Sequence, residues 1–225
     1  MTREELARRI DHTLLRPYAC LADIERLCTE ALEYGFASVC ILPYWVERAV
    51  SILKGSAVAV GTVIGFPLGA NTPAVKIYEA EQCLAQGATE LDMVIALPAL
   101  KAGDWRTVRH DIEQIASLCR SAEDPATLKV IIECCYLTQA EKIQATRLIA
   151  ETGADFVKTS TGFGEGGATL EDVRLLRSAA PPHLKVKAAG GIRTLTFAEQ
   201  LIEAGADRIG TSSGVTLIQQ VEEEV

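Results

Sequence analysis

Lys158 lies in Phe156-Val157-Lys158-Thr159-Ser160-Thr161-Gly162, a run of strand character whose place is a protein core. An unpaired ammonium in such a place loses its hydration, and the usual relief is a lowered pKa. A lysine that is neutral near pH 7 is an amine nucleophile, able to form a Schiff base with a carbonyl compound. Lys187 ends a similar run, Leu184-Lys185-Val186-Lys187, just ahead of Ala188-Ala189-Gly190-Gly191. If the two ammonium groups face each other, repulsion lowers the pKa of one of them further. The alternative is that each lysine ends an edge strand and reaches out to water. Two such lysines, both followed by glycine-containing turns, favour the catalytic reading.

These lysines need elements to hold them, and the chain supplies eight of one kind. Apolar runs rich in Val and Ile occur at Ile10–Leu14, Ser38–Leu42, Ala59–Gly65 and Glu90–Ile95, then at Lys129–Glu133, Phe156–Ser160, Lys185–Ala189 and Arg208–Thr211. Continuous hydrophobicity marks strands buried on both faces. Amphipathic stretches separate them. Between Asp104 and Arg120, for example, Trp105, Val108, Ile112, Ile115 and Cys119 share one helical face, with Arg106, Arg109 and Glu113 outside it. Gly35, Gly87, Gly153 and Gly205 each end a helical stretch ahead of a strand. The pattern predicts a (β/α)8 TIM barrel with a short N-terminal helix. A doubly wound open sheet would call for a G-x-G-x-x-G after the first strand, and the sequence has none there.

In a barrel, catalytic groups gather toward the C-terminal ends of the strands. Asp11, Thr13, Cys40, Asp92, Glu133, Lys158 and Lys187 are the polar residues so placed. The last two strands run into Gly190-Gly191-Ile192-Arg193-Thr194 and Gly210-Thr211-Ser212-Ser213-Gly214, each expected to open a helix. Glycine lets backbone approach closely, and N–H groups with serine hydroxyls suit an anion. Gly190, Gly191, Gly210, Ser212 and Ser213 are therefore candidate phosphate-binding residues.

The 225 residues suit one undivided barrel, a single domain over 1–225, and a hydrophobic content of 48% supports its core. No stretch approaches the ~20 apolar residues of a membrane span. Met1-Thr2-Arg3-Glu4-Glu5 begins an amphipathic helix without an apolar signal core, so a cytoplasmic protein is expected. A net charge of −8 with interleaved signs argues against nucleic-acid or anionic-membrane partners. The one like-charge run, Glu222-Glu223-Glu224, reads as a solvated helix terminus. Seven cysteines without CxxC spacing fit a reducing compartment, and three scattered histidines leave no zinc pattern. No metal or cofactor is expected. An anionic small molecule held in a local pocket is compatible with this charge balance.

The stretches Ile10-Asp11-His12-Thr13-Leu14-Leu15, Val63-Ile64-Gly65-Phe66-Pro67-Leu68-Gly69, Glu90-Leu91-Asp92-Met93-Val94-Ile95, Val157-Lys158-Thr159-Ser160-Thr161-Gly162 and Lys187-Ala188-Ala189-Gly190-Gly191-Ile192-Arg193 occur in the order found in one enzyme family. With them the chain resembles class I deoxyribose-phosphate aldolase as far as about Gly214. The resemblance implies reversible cleavage of 2-deoxy-D-ribose 5-phosphate to D-glyceraldehyde 3-phosphate and acetaldehyde, hence small phosphorylated sugars and aldehydes as partners and a homo-oligomer, dimer or tetramer, as the assembly. It implies Lys158 as the Schiff-base lysine, Lys187 as the neighbour that lowers its pKa, and Asp92 as the acid/base carboxylate. Thr161, Gly162, Asp11 and Thr13 join the candidate substrate contacts. Cys40 matches a cysteine near the family's site, but a packed core thiol is the favoured reading.

Three positions depart from the family. Ala96 stands where Asn is common, and Phe163 where some members carry a phosphate-holding lysine, which leaves more to backbone N–H groups and to Ser212 and Ser213. Some members end in a tyrosine that assists proton transfer at C2. Here the last residue is Val225, and either a slower turnover or water in the tyrosine's place is expected. Two other functions fit a barrel of this kind: a phosphosugar isomerase working through carboxylates, and a phosphometabolite-binding protein without chemistry. Trapping a covalent adduct with acetaldehyde separates both from an aldolase.

Overall fold

Val and Ile suit strands covered on both faces, because their branched side chains pack well on a pleated surface. In the computed structural model, which describes residues 1–223, eight such strands form in chain order. They are β1 (Ile10–Leu14), β2 (Ser38–Ile41), β3 (Ala59–Ile64), β4 (Glu90–Val94), β5 (Thr127–Ile131), β6 (Phe156–Lys158), β7 (Lys185–Ala189) and β8 (Arg208–Thr211). Each pairs in parallel with the next, and β1 pairs with β8, closing the barrel. The helices are α1 (Arg3–Ala7), α2 (Leu21–Tyr34), α3 (Val46–Leu53), α4 (Pro73–Ala85), α5 (Leu97–Lys101), α6 (Trp105–Ser121), α7 (Gln139–Glu151), α8 (Leu170–Ala179), α9 (Leu195–Glu203) and α10 (Gly214–Glu223). Of the C-terminal acidic run, Glu224 lies outside the described residues, as does Val225.

The helices start and stop where the residue types require. Thr2 and Thr138 form capping boxes with Glu5 and Glu141, while Thr169 and Thr194 accept bonds from Asp172 N and Phe197 N. Gly35, Gly87, Gly153 and Gly205 turn the chain toward the next strand at φ of 68°, 96°, 84° and 112°. On α6, Val108, Ile112, Ile115 and Cys119 are buried as the periodicity predicts, and Asp111 is buried with them. It is not alone: Lys76 of α4 reaches it at 2.6 Å and also donates to the carbonyl of Val94 at 2.9 Å. This ion pair between two helices is fully buried.

Five strands end sooner than in the sequence reading, β2, β3 and β4 by one residue and β5 and β6 by two. β5 begins at Thr127 and stops at Ile131, so Glu133 is not a strand residue. Its φ of 52° turns the chain into a 3-10 turn over Cys134–Tyr136. The turn swings the carboxylate toward the loop after β6, where it accepts bonds from Thr161 N and Thr161 Oγ1. β6 is correspondingly short, ending at Lys158.

Candidate active site

Register brings the site together. Lys158 lies beside Lys187 across β6 and β7, and Lys187 beside Arg208 across β7 and β8. Asp92 lies beside Lys129 across β4 and β5. Asp92 Oδ2 receives Lys158 Nζ at 2.6 Å and Lys187 Nζ at 2.7 Å, while its Oδ1 receives Lys129 Nζ at 3.0 Å. Lys158 is thus paired, and the unpaired ammonium expected from the sequence is corrected.

The direction of its pKa nevertheless holds. Burial penalises the charged form of Lys158, and Lys187 repels it further, so its pKa lies below the ordinary lysine value despite the pull of Asp92. Lys187 is equally buried, but Asp11 at 2.5 Å and Asp92 outweigh that penalty and raise its pKa. Burial by itself would raise the pKa of Asp92; Lys129, Lys158 and Lys187 overcome it and hold the carboxyl well below the usual range. Lys187 therefore keeps its charge while Lys158 is disposed to lose its own.

A cleft of ≈ 540 Å³ opens above these groups. Lys158 lines it with Thr13, Thr161, Gly162, Gly190, Gly191, Gly210 and Ser212. Asp11, Asp92, Lys187 and Cys40 are buried at 1% exposure or less and are not among its lining residues. Ser213 is not in the lining either, and its N–H donates to Thr211 Oγ1 at 2.9 Å. The N–H and hydroxyl of Thr161 are turned to Glu133, so this residue shapes its loop. Cys40 Sγ stands 4.0 Å from Asp92 Oδ2, and burial, with Asp92 adding to it, pushes the thiol pKa up. It packs with Leu15 and Val63.

Gly190 and Gly191, at φ of 91° and 77°, keep backbone at the cleft wall. A Cβ on Gly167 would fall 2.3 Å from the Gly190 carbonyl oxygen, so this tight loop-to-loop contact excludes side chains there. Both glycine-containing segments lead into helices as expected: Gly190–Thr194 ends on Thr194, the cap of α9, and Gly210–Gly214 runs into α10. Phe163 lines the cleft and meets Phe66 edge to face, with ring centroids 5.2 Å apart.

Three charged residues escaped the sequence reading. Lys129 Nζ touches Glu90 Oε2 at 2.5 Å and Asp11 Oδ2 at 3.5 Å. Arg208 donates to Asp11 Oδ1 through Nε at 2.7 Å and stands 3.3 Å from both Glu90 oxygens. The available signal was the i, i+2 spacing of Glu90 and Asp92, which puts both on one face of a strand. Among the described residues no cluster of three His, Cys, Asp or Glu is placed to hold a metal ion, and no helix is long and apolar enough to cross a membrane.

Residues 5–220 match the model of the DeoC/LacD family aldolases. A deoxyribose-phosphate aldolase of Thermococcus kodakarensis is 54% identical over 226 residues, covering 100% of both chains. One from Thermoanaerobacter sp. strain X514 is 54% identical over 215 residues, 96% of each. The deoxyribose phosphate aldolase of Aeropyrum pernix, described as a unique tetrameric structure, superposes with a TM-score of 0.92 at 37% identity. That match covers 100% of this chain and 94% of the other.

Proposed function

The chain belongs to the DeoC/LacD aldolase family, and from that premise we propose Lys158 as its Schiff-base nucleophile, with Lys187 and Asp92 as the groups that set its charge and move its protons. The enzyme is a class I aldolase that cleaves 2-deoxy-D-ribose 5-phosphate reversibly to D-glyceraldehyde 3-phosphate and acetaldehyde. The observation that carries the assignment is Lys158 itself: of the three lysines touching Asp92, it alone lines the cleft.

The neutral Nζ adds to the C1 aldehyde, and loss of water leaves an iminium. A base takes the proton of the C3 hydroxyl, C3 becomes a carbonyl, and the C2–C3 electron pair moves into the enamine, reducing the iminium nitrogen to neutrality. Acetaldehyde carries away C1 and C2, so C2 must next gain a proton and the iminium must be hydrolysed. Asp92, held at Nζ, stabilises each cationic state of that nitrogen, ammonium and iminium alike. Asp92 moves protons through a water, while Lys187 keeps its own and disposes Lys158 to lose its charge.

Phosphate is assigned to the glycine-lined wall at Gly190, Gly191 and Gly210 with Ser212, and with Gly162 packed beside Gly190. Asp11 acts beneath the substrate, through Lys187. The chain works as one aldolase domain in a homo-oligomer in the cytoplasm. The tetrameric relative supports the assembly, and the seven free cysteines support a reducing compartment. The test is acetaldehyde release from deoxyribose 5-phosphate, beside borohydride trapping with acetaldehyde and peptide mapping. Activity with the two-carbon adduct on Lys158, and neither in Lys158→Ala, is the expected result. An adduct on Lys187 alone overturns the assignment.

A further inference from the structure

Below the nucleophile, the barrel holds more charge than one lysine pair needs. Lys129, Lys158, Lys187 and Arg208 face Asp11, Glu90 and Asp92 in a continuous set of contacts. Every strand packed around it is accounted for: β1 contributes Asp11, β4 Glu90 and Asp92, β5 Lys129, β6 Lys158, β7 Lys187 and β8 Arg208. From β2 come only the Cys40 thiol and the Ser38 hydroxyl, and β3 has no ionisable residue. Glu133 is buried nearby, but its oxygens are taken by Thr161 and, among the described residues, it forms no ion pair with the cluster.

Four cations therefore meet three carboxylates. A dry interior tolerates a neutral set far better than a net charge. One cation must yield, and the contacts decide which. Among the described residues Lys129 touches three carboxylates, Lys187 two and Arg208 two, whereas Lys158 touches only Asp92. We infer that Glu90 and Arg208, at the floor of the barrel, are positioning residues that set the protonation of Lys158 by fixing the charge balance of the whole interior. Neither lines the cleft, so neither acts by touching substrate. The inference rests on Lys158 being the nucleophile.

It makes a prediction of opposite signs. Glu90→Gln leaves the interior with surplus positive charge, so Lys158 loses its proton more readily. Arg208→Met leaves surplus negative charge, so Lys158 holds its proton more tightly. Each shift should be up to about one pH unit, below most of the 1–3 units of a charge in direct contact, because neither residue touches Lys158. The readout is the pH dependence of the rate at which acetaldehyde and cyanoborohydride ethylate Lys158, followed by peptide mass.

The midpoint should move down in Glu90→Gln and up in Arg208→Met, each by up to about one unit. Arg208→Lys should lie at the wild-type midpoint, and so should the double variant Glu90→Gln/Arg208→Met, which removes one charge of each sign. Should one single variant fail to fold, the other, read against the double variant, decides. A purely structural role lowers the rate at all pH values without moving midpoints. Unmoved midpoints, midpoints moving the same way, or a displaced double variant overturn the inference. Absence of ethylation at Lys158 in the unaltered enzyme would instead overturn the assignment of the nucleophile.

Discussion

Replacing Lys187 with methionine keeps most of its volume and removes its charge. Both Lys158 Nζ and Lys187 Nζ reach one oxygen of Asp92, at 2.6 and 2.7 Å. They therefore stand within ~5 Å of each other, and a unit charge at that distance under an effective dielectric of ~20 is worth ~3 kcal/mol, or about two pH units. Two further changes act with the same sign. Asp92 loses one of three ammonium partners and Asp11 loses its contact at 2.5 Å, so both carboxylates favour a proton on Lys158. Relaxation trims the effect, and a rise of one to two units is a fair expectation.

Below its pKa, the neutral fraction of an amine falls tenfold per unit. Lys187→Met should therefore lose ~10–100-fold in kcat/KM at neutral pH and regain activity as the pH is raised by about one to two units. The assay is acetaldehyde release across the pH range, with circular dichroism at each end to follow the fold. A profile with the wild-type acidic limb would refute the electrostatic argument. So would a loss that persists unchanged at high pH, which would put Lys187 in the chemistry without a role in the charge of Lys158.

Other sites make separate predictions. A Cβ at Gly210 would lie 3.0 Å from both Lys187 Cε and Ala189 Cβ, so Gly210→Ala should cost ~1–3 kcal/mol of stability and displace Lys187, seen as a lower Tm with reduced kcat. Lys76→Met strands Asp111 in a buried place and should cost ~3–5 kcal/mol in denaturant unfolding, with Lys76→Met/Asp111→Leu recovering much of it. Activity of the folded fraction should be unchanged in that double variant. Ser212→Glu sets a negative charge against the proposed phosphate wall and should raise KM for deoxyribose 5-phosphate at least tenfold, about 1.4 kcal/mol, while sparing unphosphorylated deoxyribose. An equal loss for both substrates would refute the phosphate assignment at Ser212.

The barrel was legible because its signals are local. Strands buried on both faces read as apolar runs, and β1, β7 and β8 have the limits expected from the sequence. Lys158, Lys187 and Asp92 were legible for a related reason, since a charge inside an apolar run is conspicuous. Glu133 also satisfied that criterion, yet it leaves β5 in a left-handed turn. Nothing in Ile131-Ile132-Glu133-Cys134 marks that turn, because it is held by Thr161, 28 residues later. Lys129 and Arg208 stand first in their apolar runs, where a charge is not conspicuous. Arg208 and Asp11 are 197 residues apart and meet only because β8 closes on β1.

Barrel closure is thus a condition of the chemistry as well as of the fold. Ion pairs this deep recover their desolvation cost only when each charge has several partners. An open sheet would separate β1 from β8, parting Asp11 from Arg208 and the register that aligns Asp11 with Gly210. Gly210 then has a meaning beyond the cleft wall. As the partner of Ala189 across β7 and β8, it leaves the space through which Lys187 reaches Asp11 and Asp92. A glycine read from the sequence as room for a phosphate is also room for a lysine. The two uses are compatible because one face of the strand end meets the cleft while the barrel interior begins beneath it. The amine that meets the aldehyde takes its reactivity from charges the substrate never touches.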